Sequence, residues 1–322
     1  MKAILLDKAC SAQELVVREV PIPRVKSGWV LVKIKAFGIN RSEIFTRQGD
    51  SPSVKLPRII GIECVGEIAD PSDSSFQKGQ RVVSLMGGLG REFDGSYAEY
   101  ALIPSTQVYP INHEMDWVKL AAIPEMYYTA YASLLDSLML KKEDILLIRG
   151  GTSSVGIAAL QLAKSIGVTV VSTTRDKNKV DLLKQHGADF VLVDNENIQS
   201  QLYSIFPHGV NKILELVGTV TLKNSLGMLA ERGILCMTGI LGGKWVLENF
   251  EPMVDTPSGT YFTQFDSGEN FKDQLLTDLL HHISQFQMEI PIARVFTLDE
   301  ISQAHLLMES NTANGKIVVV NP

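Results

Sequence analysis

At 322 residues the chain is long enough for about two domains, each with its own core. Hydrophobic residues at 45% and charged residues at 20% give the balance of an ordinary globular chain. A net charge of −6, with no stretch that gathers lysine and arginine into a stripe, argues against a general nucleic-acid binder.

The N-terminal run is broken by Asp7 and Lys8, so it reads as a β-strand rather than a secretory segment, which needs roughly 7–15 uninterrupted apolar residues. Nothing approaches the roughly 18 apolar residues of a membrane span. Cys10, Cys64 and Cys236 lie too far apart for a disulfide framework, and the chain is expected to be cytoplasmic, with no membrane partner. Residues 1–123 read as β-rich, with strands over 29–39, 61–69 and 80–86 bounded by Gly, Pro, Ser and Asp.

From 124 the pattern changes to strands alternating with helices, the signature of a parallel sheet. Strands are expected over 144–149, 168–173, 190–193, 212–217 and 233–239, with helices over 153–167, 176–188 and near 219–230. A glycine and proline cluster near 242–259 reads as a loop. A helix over 271–286 and a closing strand over 315–322 suggest a return to the first domain. The expected domains are therefore 1–123, 124–262 and 263–322, the last belonging with the first.

The segment 144–167 reads as strand, glycine-rich turn and helix. A dinucleotide pyrophosphate needs backbone N–H groups and the positive end of a helix dipole, with little side-chain bulk in the way. Gly150 suits the tight turn and Gly156 suits close helix packing. Ser153 stands where a third glycine is usual, and its hydroxyl is expected to donate to phosphate. Gly150, Thr152, Ser153, Ser154, Val155 and Gly156 are thus the expected cradle.

An NAD site usually carries an acidic residue about 20 residues beyond the turn, to accept from the ribose 2′-hydroxyl. This chain instead has Ser172, Thr173, Thr174 and Arg175, followed by Lys177 and Lys179. Hydroxyls and cations favour a 2′-phosphate, hence NADPH, with Thr173, Arg175 and Lys179 as its partners. The alternative for Arg175 and Lys179 is a solvated helix start. Asp176 reads as a helix N-cap.

With these residues placed, the chain resembles the zinc-free quinone oxidoreductase branch of the medium-chain dehydrogenase/reductase superfamily. The resemblance rests on GINRSEIFTRQGD (38–50), GIECVGEI (61–68), DGSYAEY (94–100), AAIPEMYYTAYASL (121–134), the turn at 150–156 and GILCMTGILGG (233–243). It implies an α/β fold with a Rossmann doubly wound parallel sheet inserted in a GroES-like β-rich catalytic domain. It also implies a cleft between the domains and a homodimer formed through the Rossmann domain.

Zinc-dependent relatives carry a Gly-His-Glu segment where this chain has Gly61-Ile62-Glu63, and no cysteine stands near Asn40, so no metal is expected. Cys64 reads as a core residue, and His281 and His282 as surface. Without zinc, hydride delivery to a quinone, enone or enal is the accessible chemistry, because developing charge there needs only a few hydrogen-bond donors. The resemblance implies that Asn40 lies near the nicotinamide ribose and substrate, where its amide orients the ribose or donates to a carbonyl; the alternative is an asparagine that serves turn backbone.

Tyr127 and Tyr128 are catalytic candidates or packing residues. Thr129 resembles a contact to the nicotinamide end, or else bonds its own helix. Thr238, Gly239 and Ile240 resemble residues that flank the nicotinamide at a strand end. Phe45 and Phe262 are pocket walls or core, and the 94–100 segment is structural, with Gly95 in a tight turn. Three functions are weighed: an NADPH-dependent quinone reductase, an enoyl or 2-alkenal C=C reductase, and an NADPH-binding protein with little turnover.

Overall fold

The structure, a computed structural model, describes residues 1–112, 114–268 and 271–321. The chain divides into two compact units: Met1–Met126 with the segment from Glu289 onward, and Tyr127–Met288.

The first unit is built on a seven-stranded sheet. Its long strand Trp29–Gly38 reads VKIKA over 32–36, and Val32, Ile34 and Ala36 are buried while Lys33 and Lys35 reach outward. That period-two pattern lets one face join a core with Val30, Ile60, Ile68, Ala101 and Ile103. Trp29–Gly38 pairs antiparallel with Glu63–Asp70 and Tyr100–Pro104. On its other side lies Lys316–Val320, with Val318 opposite Gly38 and Val320 opposite Ala36. Two distant stretches of chain thus share one sheet. Gly95 was expected in a tight turn. Its backbone is not left-handed, and a Cβ there would lie 2.2 Å from Gly61 O, so close backbone approach dictates the glycine.

The second unit holds six parallel strands in the order Phe190–Val193, Thr169–Thr174, Ile145–Arg149, Val210–Glu215, Leu229–Met237 and Tyr261–Gln264. Sequence order reverses between Ile145–Arg149 and Val210–Glu215, the Rossmann arrangement, and ligands bind outside the strand ends at such a switch point. The inner strands are apolar on both faces, as a sheet covered by helices demands: Leu146, Leu147, Ile148, Ile213 and Leu214 are all fully buried. Among the described residues no helix is long and apolar enough to cross a membrane.

The chain rejoins the first unit at Glu289 rather than at 263. Helix Asp273–Gln285 explains the later return: it buries Leu276, Leu279, Leu280 and Ile283 in the second unit, and His282 Nε2 lies 2.6 Å from Ser165 Oγ. His282 also stacks near Tyr131 and Phe286, so it is a packing residue rather than the surface residue expected. Helix 176–188 is shorter than expected, a 3-10 turn at Lys177–Lys179 running into Val180–Gln185.

Leu147 sits in the middle of the parallel sheet with no exposed surface. Leu147→Ala should cost about 2–5 kcal/mol through lost transfer energy plus a cavity. Urea unfolding followed by far-UV circular dichroism should show the lower midpoint.

Candidate functional site

The glycine-rich turn follows strand Ile145–Arg149 and opens helix Ser154–Ser165. Gly150 has φ +86°, a conformation L side chains rarely adopt. A Cβ on Gly151 would lie 1.9 Å from Ser172 Oγ, and one on Gly156 would meet the Gly150 and Gly151 carbonyls at 2.6 and 2.7 Å. At Gly151 and Gly156 the turn has no room for a Cβ, so peptide groups approach one another closely there. Ser153 is the helix N-cap: its hydroxyl accepts from Gly156 N at 3.1 Å and donates to Gly150 O at 2.8 Å. Its one proton is committed to the turn, which corrects the expectation that it donates to phosphate. The first-turn amides of Ser154 and Val155 have no intrahelical acceptor and point out of the positive helix end. Thr152 stands half-buried in the same turn. This bare cradle fits a pyrophosphate.

The second strand, Thr169–Thr174, is tied to the turn. Thr173 Oγ1 accepts from Gly150 N at 3.1 Å, and Thr173 O accepts from Gly151 N at 3.1 Å. Thr174 Oγ1 closes a local turn with Asp176, and Asp176 caps the next turn through Asn178 N at 2.9 Å. The hydroxyls expected to meet a 2′-phosphate are therefore occupied locally or buried, Thr173 included. Arg175 and Lys177 are exposed just beyond the strand end, with Lys179 half-buried beside them.

A buried polar network that the sequence did not reveal binds these strand ends together. Arg149, 3% exposed, makes two bonds to Asp194, at 2.6 and 3.0 Å, and reaches Asn224 Oδ1 at 2.5 Å and Ser225 Oγ at 3.1 Å. Ser225 donates to Glu215, whose Oε1 accepts the N–H groups of Val217 and Gly218 at 2.8 and 3.0 Å. Burial pushes Glu215 above the usual carboxylate range, against the pull of these donors and of Arg149. Gly239 packs onto the same strand end: a Cβ there would meet Leu216 O at 2.5 Å. Thr238 Oγ1 lies 2.9 Å from Ser133 Oγ, and Thr238, Gly239 and Ile240 are all half-buried at the end of Leu229–Met237.

Asn40 belongs to the first unit, where it begins helix Arg41–Gln48. Glu43 follows at the spacing of a capping box, a pattern legible in the sequence, and accepts from Asn40 N at 3.0 Å. The Asn40 side chain does not serve a turn. Its Oδ1 accepts from Lys316 Nζ at 2.6 Å, and its Nδ2 points to Glu63 Oε1 at 2.8 Å and Glu43 Oε1 at 3.4 Å. With its donors turned onto carboxylates, the amide keeps one lone pair of Oδ1 for a ligand. Of the two roles expected for Asn40, accepting from a hydroxyl fits this geometry and donating to a carbonyl does not.

The two tyrosines are fully buried and have partners inside the second unit. Tyr127 donates to Gln161 Oε1 at 2.5 Å, and burial raises its phenol well above the usual range. Tyr128 Oη accepts from Lys272 N at 2.6 Å, and its ring stacks on Phe271 at 4.6 Å. Of the two roles expected for these tyrosines, packing is the one these contacts favour. Thr129 lies between them and the helix end, largely buried. Phe45 is half-buried, while Phe262 is exposed on the outer strand Tyr261–Gln264 and belongs to neither core nor wall.

Comparison with known proteins agrees with this architecture. Residues 26–113 match the alcohol dehydrogenase GroES-like domain, and residues 154–268 match the zinc-binding dehydrogenase family. The quinone oxidoreductase of Lama guanicoe is 30% identical over 308 residues, covering 94% of this chain and 92% of its own. The chain belongs to the quinone oxidoreductase branch of the medium-chain dehydrogenase/reductase superfamily. It is an oxidoreductase. Among solved structures, a mycobacterial protein complexed with NADPH superposes with TM-score 0.87 at 24% identity, covering 100% of both chains. A 2-haloacrylate reductase superposes with TM-score 0.88 at 20% identity, covering 100% of this chain and 99% of that one.

Ile62, expected where zinc-dependent relatives carry a ligating histidine, is buried at 4% exposure, and its N–H donates to Glu43 Oε1 at 3.2 Å. Cys64 beside it is buried, and burial pushes its thiol up to about 12. Among the described residues no group of three His, Cys, Asp or Glu side chains is placed to hold a metal ion.

Burial, aided by the charge of Glu63 and opposed by Lys316, pushes the Glu43 carboxyl up to about 7. A folded group that keeps its proton longer than the unfolded chain stabilises the fold fully below the ordinary value of 4.5. That stabilisation, on the order of 3 kcal/mol, fades as pH rises towards about 7. Glu43→Gln should lack this part of the pH dependence. Urea unfolding of both proteins between these pH values should show a flatter stability profile for the variant; parallel profiles would contradict the titration.

Proposed function

We propose that the chain is an NADPH-dependent, zinc-independent reductase of quinones and similar conjugated carbonyls that works as a homodimer. The bare peptide cradle at Gly150–Gly156, closed beneath by Ser172 and Thr173, carries this reading. It supports binding of a dinucleotide pyrophosphate through the amides of Ser154 and Val155 and the positive end of the following helix. A bound nicotinamide supplies the hydride.

The cofactor choice rests on charge. No acidic side chain follows Thr173 directly, and Arg175, with Lys179 behind it, supplies guanidinium and ammonium donors for a 2′-phosphate. Asp176 is turned into its own helix cap. Thr129, Thr238, Gly239 and Ile240 are assigned to the nicotinamide end, and Asn40 Oδ1 to a ribose hydroxyl. With isoleucine at position 62 and no group of metal-ligating side chains among the described residues, conjugated acceptors suit the remaining hydrogen-bonding groups.

A C=C reductase of 2-alkenals or enoyl compounds is the second reading, favoured by the 2-haloacrylate reductase among the structural neighbours. NADPH oxidation against ortho-quinones, para-quinones and 2-alkenals separates the two. Consumption with quinones is expected; turnover restricted to alkenals would select the second reading, and none with either would sink both.

Arg175→Ala/Lys179→Ala should raise KM for NADPH about 10–100-fold, the worth of one or two charge-assisted hydrogen bonds, and leave NADH within about 3-fold. Equal losses for both cofactors would overturn the assignment of the 2′-phosphate.

The outer strand Tyr261–Gln264 supports the dimer. It ends the sheet order, and Tyr261, Phe262 and the nearby Trp245, Val246, Met253 and Val254 are exposed. An open, apolar strand edge is a template for pairing with a second copy. Phe262→Lys/Val254→Glu should shift the chain to monomer in sedimentation velocity; a variant that still runs as the wild type would contradict this edge as the interface.

A further inference from the structure

The ammonium of Lys316, 1% exposed, is held by two acceptors: Asn40 Oδ1 and Glu63 Oε1, both at 2.6 Å. Glu63 Oε1 also accepts from Asn40 Nδ2 at 2.8 Å, closing a ring of three side chains. The second oxygen of Glu63 takes the Glu125 N–H at 2.7 Å. Glu43 faces the ring from the helix side, and the charges of Glu43, Glu63 and Arg47 all act on the buried phenol of Tyr97.

An amide side chain has two orientations related by exchange of its oxygen and its NH2 group, and its neighbours decide between them. The neighbours of Asn40 permit one. An ammonium has no lone pair to offer and an ionised carboxylate has no proton to give. The exchanged amide would set NH2 against the ammonium and oxygen against carboxylate, both repulsive in a dry interior. The sheet needs no buried charge at this place, and the chain makes special room for it. A Cβ on Gly38 would lie 2.2 Å from Lys316 Cε and 2.4 Å from Glu63 Oε1, so a glycine there admits the pair.

We propose that Lys316 and Glu63 are positioning residues for the reductase reaction, which fix Asn40 so that it meets its ligand as a hydrogen-bond acceptor for a hydroxyl group. This rests on the reading of Asn40 given under the proposed function. Neither charge touches the ligand; both act through the amide.

Removing Lys316 alone strands a buried carboxylate, so the informative variant is Glu63→Gln/Lys316→Met, which removes both charges and keeps the volume. In the ligand-free protein labelled with nitrogen-15, the Asn40 side-chain NH2 pair is identified by its loss in Asn40→Ala. That pair should be well dispersed and slow to exchange in the wild type, and should collapse towards solvent-like shifts in the double variant. With NADPH and a para-quinone, the double variant should keep a thermal midpoint near that of the wild type. It should lose about 3–10-fold in kcat/KM, the worth of one neutral hydrogen bond between the amide and the hydroxyl. In an Asn40→Ala background the same double change should cost less than about 2-fold, because effects routed through one residue are not additive.

An equal loss in that background, or a folded double variant with an unshifted NH2 pair and full activity, overturns the positioning role. Full activity of Asn40→Ala instead overturns the reading of Asn40, and the inference with it. Should the double variant not fold, Glu63→Gln alone is read instead. Lys316 still holds Asn40 Oδ1 there, so the NH2 pair should shift and kcat/KM fall by a smaller factor than expected of the double change. An unshifted pair with full activity overturns the positioning role.

Discussion

The antiparallel pairing of Lys316–Val320 with Trp29–Gly38 is the contact on which the first unit depends. It sets Val318 opposite Gly38 and so fixes the register in which Lys316 can reach Asn40 and Glu63. A slip of one residue would turn Lys316 to the other face of the sheet and bring an apolar valine or isoleucine to the carboxylates. Register is therefore specified twice, by the apolar alternation of both strands and by a buried ion pair. The cost of burying those charges is offset only because every acceptor in the ring finds a donor.

The second unit solves a similar problem with different means. Three strand ends must be held level for a flat row of peptide groups to face a ligand. Arg149 links the first strand to Asp194 beyond Phe190–Val193 and to Asn224 and Ser225 after Val210–Glu215. Glu215 then holds the Val217 and Gly218 amides. A guanidinium suits this work because its donors fan out in one rigid plane, which a lysine could not reproduce.

Most of the architecture was legible in the chain. The change of period near 124, the glycine turn and the parallel strands announced themselves because each is a local pattern, written within some 20 residues. Asp176 as a cap was legible for the same reason. The acceptor of each polar side chain was not. Ser153 and Thr173 looked like phosphate ligands because nothing in sequence shows that their hydroxyls close the turn itself. Tyr127 and Tyr128 looked available because Gln161 and Lys272 lie far along the chain. Glu43 alone carried a local sign, three residues after Asn40. Lys316 and Glu63 carried none, since 253 positions separate two residues whose charged atoms sit 2.6 Å apart. The late return at Glu289 was hidden because an amphipathic helix at 273–285 does not say which core it will cover.

The division of the first unit into two stretches of chain has a consequence for biosynthesis. Synthesis runs from the N-terminus, so Trp29–Gly38 and Glu63 leave the ribosome long before Lys316 is made. Throughout the translation of Tyr127–Met288, one side of Trp29–Gly38 lacks its neighbour and Glu63 lacks its counter-charge. The nascent first unit therefore has an open sheet edge and an uncompensated acidic interior. A chaperone that shields strand edges would have its longest window of engagement there, while the parallel-stranded unit can complete its own sheet first.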